Sequence, residues 1–229
     1  MESKREMYPQ IVQALDDELD NFDYFLHKIK KFFESRKLKS DVHSIRFRLK
    51  DIDHILSKVE RKNIEDDAKD PEERKGHIDH ENIFTRITDI AGVRILHLHF
   101  SQFKNIHNAL MQKIDEGEFV LVEDPKAYTW DPDSQAYFQT ECRITPEIKS
   151  SYYTSIHYVL KPNTNSKAIC EVQIRTLLEE VWGEVDHAMN YPIEHPDPYC
   201  KEEIKHLARL IGTGTHMADS IMRRYKRDD

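Results

Sequence analysis

The sequence has no apolar stretch approaching the roughly 18 residues that cross a bilayer, and no apolar run behind a basic start at its N-terminus. A membrane span and a secretory signal are therefore not expected, and a cytoplasmic location is. Cysteine is scarce: Cys142, Cys170 and Cys200 are odd in number, widely spaced and form no C-x-x-C pair. That argues against a disulfide framework and leaves a zinc site with little support, so reduced thiols are expected. A surplus of positive charge is missing too. The formal net charge is −8, which speaks against general nucleic-acid binding, because counterion release needs a basic surface. One basic pocket for phosphates is still compatible with it, since local fields differ from the net charge. The 229 residues contain no internal repeat and no low-complexity tract, and suffice for one well-buried core with decoration or two small domains.

What is present reads as alternating helix and strand. Ile11, Leu15, Leu19, Phe22, Leu26, Ile29 and Phe33 recur at spacings of three and four, which predicts one long amphipathic helix over 9–37. In 44–50, Ile45, Phe47 and Leu49 alternate with Arg46, Arg48 and Lys50, a strand with a basic face, after which Asp51 is placed to cap a helix. Residues 63–80 are charged and aperiodic and read as a loop. A turn around Gly92 precedes a strand, Ser101 is placed to cap the next helix, and Gly117 to stop it. Residues 125–150 carry three prolines and read as a long loop at an edge or over a site. A hairpin follows over 152–176, and two helices, the second over roughly 201–226, close the chain.

The polar residues converge by strand periodicity. Side chains alternate across a strand, so Glu171, Gln173 and Arg175 share one face of "CEVQIRT", and Tyr153, Ser155 and His157 share a face of its partner. Arg46, Arg48 and Lys50, then Lys58 and Arg61 on the following helix, add cations; Asp89 precedes Gly92, and Arg94 opens the next strand. Two separated carboxylates among cations suit a polyphosphate chelated by a divalent ion. The same row also fits the wet face of an antiparallel sheet, and spacing alone names no reaction.

Five stretches taken in order are more specific. "RLKDIDHILSKVERK", "DIAGVR", "KSSYYTSIH", "EVQIRT" and "VWGEVDH" resemble, in sequence and spacing, the synthetase domain of the RelA/SpoT family over roughly residues 42–192. The resemblance implies an α/β nucleotidyltransferase-like fold with a mixed β-sheet of about five strands flanked by helices. It implies a helical extension over 1–40, a synthetase domain over 41–192 and a helical segment over 193–229. The activity implied is Mg²⁺-dependent transfer of the β,γ-pyrophosphate of ATP to the 3′-hydroxyl of GDP or GTP, making (p)ppGpp. Arg48 and Arg94 would sandwich the adenine, and Lys50, Lys58 and Arg61 would hold phosphates. Asp89 and Glu171 would ligate Mg²⁺, with Glu171 also taking the acceptor proton. Tyr153 would stack on the acceptor base, Lys149 and His157 would meet acceptor phosphates, and Gln173, Arg175, Glu180 and His187 would complete the acceptor side.

The departures from the family pattern all fall on that side. Ser151-Tyr152 replaces Asn-Gly, Thr154 replaces an arginine, and Glu180 replaces an asparagine that reads guanine. "AMNYP" after His187 lacks the usual lysines. An adenine nucleotide or a tRNA 3′ end therefore stays open as acceptor, as does a silent nucleotide-binding module. A tRNA or an antitoxin protein enters as partner only on the toxin-branch reading, and the helices outside the core are candidates for homo-oligomer contacts. Alarmone hydrolysis is disfavoured, because the chain has no His-Asp dipeptide.

Overall fold

The computed structural model describes residues 4–190 and 195–225. The boundary expected at 192–193 and the last residue of the closing helix lie outside them. The chain opens with α1 (Lys4–Met7), α2 (Pro9–Asp16) and α3 (Leu19–Phe33), followed by β1 (Ser44–Leu49) and α4 (Ile52–Asp67). Next come α5 (Ile83–Arg86), β2 (Ala91–His97), α6 (Phe100–Asp115), β3 (Val120–Leu121), β4 (Lys126–Thr129), α7 (Pro132–Cys142) and β5 (Pro146–Ile148). The chain then forms the antiparallel hairpin of β6 (Ser155–Lys161) and β7 (Cys170–Thr176), then α8 (Leu177–Asn190) and α9 (Pro198–Tyr225). The strands form one mixed sheet in the order β1-β2-β7-β6-β4-β5, with β3 pairing β6. A mixed sheet flanked by helices was expected; among the described residues it has seven strands rather than about five.

Strand alternation divides the sheet into two faces. Val93 and Ile95 of β2, Val172 and Ile174 of β7, and Ile156 and Tyr158 of β6 turn toward one core with Phe22, Phe25 and Ile29 of α3 and Phe103 and Ile106 of α6. Each such apolar side chain, fully buried, contributes roughly 1.5–3 kcal/mol. The opposite face carries the polar row and is covered by α8, on which α9 packs in turn. Thr176 and Glu179 close a reciprocal cap, Thr176 N–H donating to Glu179 Oε2 at 2.7 Å and Glu179 N–H to Thr176 Oγ1 at 3.1 Å. That S/T-x-x-E box turns the chain from β7 straight into α8. Trp182 then donates from Nε1 to the Ile204 carbonyl at 2.9 Å, fixing α8 on α9.

Several local expectations are corrected. The long helix of 9–37 breaks between α2 and α3, where Asp16, Asp17 and Glu18 crowd negative charge at the negative end of α2. The helix of α4 runs on to Asp67, through residues expected to be loop. Its buried stripe continues from Val59 into Asn63 and Asp66, polar residues serving the core side: Asn63 accepts from the Ile78 N–H and Asp66 from the Lys75 N–H. Gly92 lies inside β2, not in a turn. Ser101 does not cap α6; His99 holds the N-cap position, and Asp219 of α9 accepts from both the Ser101 N–H and its hydroxyl. Residues 125–150 are β4, α7 and β5 rather than a loop. Tyr153 stands just before β6, not within it. The three cysteines are free thiols, and no described helix is long and apolar enough to cross a membrane.

Candidate functional site

β1, β2 and β7 meet in register at the floor of a cleft of about 610 Å³, with α8 as its wall. Arg48 of β1 pairs with Gly92 of β2, which pairs with Glu171 of β7; one step along, Arg46 pairs with Arg94 and Arg94 with Gln173. Arg48, Asp89, Arg94, Tyr153, Glu171 and Gln173 line this cleft together, as do Arg175 and His187. The strand register thus brings together residues more than 120 positions apart.

Asp89 lines the floor beside Arg48 and Gly92. Lys50 Nζ and Lys58 Nζ both reach its Oδ2, at 2.6 and 2.7 Å. Burial pushes this carboxyl upward, but the two lysine hydrogen bonds and charges outweigh it and hold the group at about 2. Lys50 is itself shifted downward, chiefly by burial, with Asp89 opposing. The other oxygen, Oδ1, is buried and has no hydrogen-bond partner among the described residues. Arg48 is exposed at the rim, and Arg61, expected beside the phosphates, points outward into an ion pair with Glu65 at 3.7 Å.

Glu171 belongs to a closed ring of hydrogen bonds. Gln173 Nε2 donates to Glu171 Oε2 at 2.7 Å, and Arg175 Nη2 donates to Gln173 Oε1 at 2.9 Å and to Tyr153 Oη at 3.3 Å. Tyr153 Oη meets His157 Nε2 at 2.9 Å, and His157 Nδ1 meets Glu171 Oε1 at 3.2 Å. A carboxylate only accepts, so His157 donates from Nδ1 to Glu171, while Nε2 and the tyrosine hydroxyl form the next bond of the ring. Burial raises the Glu171 carboxyl, yet the His157 hydrogen bond and charge, with Gln173, bring it below the ordinary range. Both His157 nitrogens are engaged by protein groups, although a phosphate contact was expected of it. Lys149 lies off the cleft, its ammonium 4.3 Å above the Tyr128 ring and 3.5 Å from Glu147.

Glu180, expected on the acceptor side, is 3% exposed and does not line the cleft. Its Oε1 accepts from Arg94 Nη1 at 2.8 Å and Arg46 Nη1 at 3.0 Å, and Arg175 Nη1 lies 3.4 Å from its Oε2. Glu184 backs the same two arginines at 3.0 and 3.3 Å. Arg46, Glu184 and Gly183 were not among the expected site residues. Arg46 was visible as a member of the basic strand face; only the register reveals that it faces Arg94. At Gly183 an added Cβ would lie 2.5 Å from Arg175 Nη1, so this glycine leaves the passage through which the guanidinium runs beneath α8. Tyr152 adopts φ +66°, the left-handed region that glycine favours and where the family pattern has one. Its ring packs on Trp130 with centroids 4.9 Å apart, and its hydroxyl accepts from Arg209 Nη2 at 2.8 Å, contacts that hold the strained backbone.

Comparison with known proteins bears on the family and the fold. Residues 47–195 match the family described as a region found in RelA / SpoT proteins. The chain is 28% identical over 187 residues to the GTP pyrophosphokinase YwaC of Bacillus subtilis (strain 168), covering 79% of this chain and 72% of that protein. Among solved structures, the small alarmone synthetase 1 from Bacillus subtilis superposes with a TM-score of 0.66 at 20% identity, covering 95% of this chain and 97% of that one. The same enzyme bound to its product pppGpp superposes with a TM-score of 0.57, also at 20% identity, covering 97% of each chain.

Proposed function

Because this chain belongs to the RelA/SpoT family, we propose that it transfers the β,γ-pyrophosphate of ATP to the 3′-hydroxyl of GDP or GTP, giving (p)ppGpp and AMP. The observation that carries this reading is the meeting of Asp89 and Glu171 in one cleft, each held ionised by its own neighbours. A relative that is a GTP pyrophosphokinase and a fold neighbour solved with pppGpp support the guanine acceptor. The proposed catalytic unit spans 41–192, with helical additions on both sides, and its substrates place the work in the cytoplasm.

The donor set fits a hard divalent cation. The buried Asp89 Oδ1, without a hydrogen-bond partner among the described residues, is an acceptor that Mg²⁺ would satisfy, and Glu171 would offer a second ionised oxygen. Asp89 and Glu171 would hold Mg²⁺, which when bound neutralises charge on the phosphate oxygens. Lys50 and Lys58 each have three donors, enough to hold Asp89 and a phosphate oxygen together. Arg48 and Arg94 supply guanidinium planes for the adenine, and Arg61 meets the phosphates only by swinging inward from Glu65. Tyr153, fixed at its hydroxyl by His157 and Arg175, is the plate for the acceptor base, with His187 in the cleft toward the acceptor phosphates; Lys149 reaches them only by leaving Glu147 and the Tyr128 ring.

The 3′ oxygen attacks the β-phosphorus while the bond from that phosphorus to the α,β-bridging oxygen breaks, and AMP leaves with the bridging oxygen. Glu171 orients the hydroxyl and takes its proton. A loose phosphoryl-type transition state asks little basicity of it, so a carboxylate below the ordinary range suffices, and positioning supplies most of the catalysis.

The test supplies γ-labelled ATP and Mg²⁺ with GDP, GTP, ADP, ATP or deacylated tRNA in separate reactions. Label on GDP or GTP with AMP released, and at least about a hundredfold loss in Glu171→Gln, is expected. Label only on an adenine nucleotide or on tRNA would reassign the acceptor, and tight ATP binding without AMP release would reassign the chain as a nucleotide-binding module.

A further inference from the structure

Glu180 is the most heavily committed carboxylate of the site. Three guanidiniums surround it: Arg94 and Arg46 on Oε1, and Arg175 in ion-pair contact with Oε2. At 3% exposure it has little surface with which to touch a ligand. Buried charge survives only when paired, and here one carboxylate is paired from both ends of the cleft. Arg94 and Arg46 belong to the donor end; Arg175 belongs to the ring that holds Tyr153, Gln173 and Glu171. The backbone has been cut to fit, for Gly183, one turn along α8, lacks the Cβ that would block Arg175. An interior glycine costs a helix roughly 1 kcal/mol against alanine, so the passage has a stability cost.

We infer that Glu180 is a positioning residue: it aims Arg46 and Arg94 at the donor nucleotide, anchors Arg175 under the acceptor side, and reads no base. Arg46 and Arg94 would otherwise have to be ordered largely by the substrate itself, at a cost in affinity, whereas Arg175 is already held by Gln173 and Tyr153. Glu184 assists at the exposed rim, where it meets Arg46 and Arg94 but not Arg175. The two substrate sites are therefore coupled through one buried group.

This inference rests on the pyrophosphate-transfer reading for its substrates, and the experiment separates the two. Binding of a non-hydrolysable ATP analogue with Mg²⁺ would be measured by calorimetry for the wild-type chain, Glu180→Gln and Glu184→Gln, which needs no turnover. Turnover would be measured with GDP and with IDP, which lacks the 2-amino group that a base-reading carboxylate would bind. Glu180→Gln is expected to weaken analogue binding about tenfold or more and to leave the GDP-to-IDP preference unchanged. Unchanged analogue binding, or a GDP-to-IDP preference that collapses in Glu180→Gln, would overturn the inference. Melting curves guard against misfolding, since removing the charge leaves three arginines facing one another. If Glu180→Gln does not fold, the exposed Glu184→Gln decides: a two- to threefold loss of analogue binding supports donor-side positioning, and no loss overturns it. Absence of transfer to any acceptor in the wild type would sink the functional reading while the analogue titration still decides the role of Glu180.

Discussion

Gly92 stands between Arg48 on one strand and Glu171 on the other, and its missing side chain forms part of the cleft floor. Added carbon there would meet no protein atom closer than the Glu171 carbonyl at 4.0 Å, so the space is open for substrate rather than filled by packing. Gly92→Val should therefore fold, because a β-branched residue suits a central strand, yet lose ATP binding by about tenfold or more. Calorimetry with an ATP analogue beside a melting curve checks both halves, and retained binding would remove Gly92 from the floor. Strand alternation alone made Arg48, Lys50, Glu171, Gln173 and Arg175 legible, because period two puts them on one face whatever the tertiary structure. It put Arg46 on that basic face without showing that it opposes Arg94, and it left Gly183 and Glu184 unassigned. Their roles depend on which residue β1 sets opposite Arg94 and on the rotation of α8, neither of which local sequence encodes.

The closing helix α9 is held by two carboxylate contacts, one buried at Asp219 and one half-buried at Asp131. Asp219 caps α6 at Ser101, and His216 Nε2 meets Asp131 Oδ2 at 2.7 Å, where Asp131 also caps α7 through the Ser134 N–H. Burial raises the Asp131 carboxyl, but His216 and Ser134 outweigh it and bring it from 3.8 to about 2. The same pairing raises His216, its hydrogen bond to Asp131 being the largest cause. The depressed carboxyl stabilises the fold above its unfolded value and loses that contribution, roughly 2 kcal/mol, as pH falls from about 4 to 2. The raised imidazole stabilises below about 6.5 and loses its contribution as pH rises through its folded value. Melting temperatures from pH 3 to 8.5 should therefore fall at both ends, and His216→Gln should flatten the alkaline decline. Superimposable alkaline limbs would show that the pair contributes nothing. The D-P start of α7 was a readable signal, Asp131 at the N-cap and Pro132 at the first helical position. It was hidden because β4, α7 and β5 are short and lack a clean apolar period. The end of α4 was missed for a different reason: Asn63 and Asp66 occupy core positions that a hydrophobicity reading does not count.

At the scale of the whole molecule, alternating helical and strand periods pointed to an α/β sheet, but neither the strand order nor the parallel pairing of β2 with β7 follows from period. One buried group in that central sheet sets a limit on the entire fold. His97 closes β2 on the core side, stacked on Phe103 with ring centroids 6.0 Å apart. Its Nδ1–H donates to the His99 carbonyl at 3.2 Å, and its buried Nε2 has no hydrogen-bond partner among the described residues. Burial, only partly opposed by that backbone hydrogen bond, drives its protonation down to about 3. The native ring is thus neutral where an unfolded histidine, titrating near 6.5, binds a proton. Stability tied to this depressed value is whole above about pH 6.5 and is lost as pH falls toward 3, by about 5 kcal/mol at the lower end. Total stabilities of such domains are about 5–15 kcal/mol, so one residue can set the acid midpoint. His97→Phe keeps the ring stack, removes the proton site and should move acid unfolding about one pH unit lower, as followed by circular dichroism along a pH titration. An unchanged midpoint would mean that another buried group sets the acid limit, or that the imidazole is not held neutral by the core.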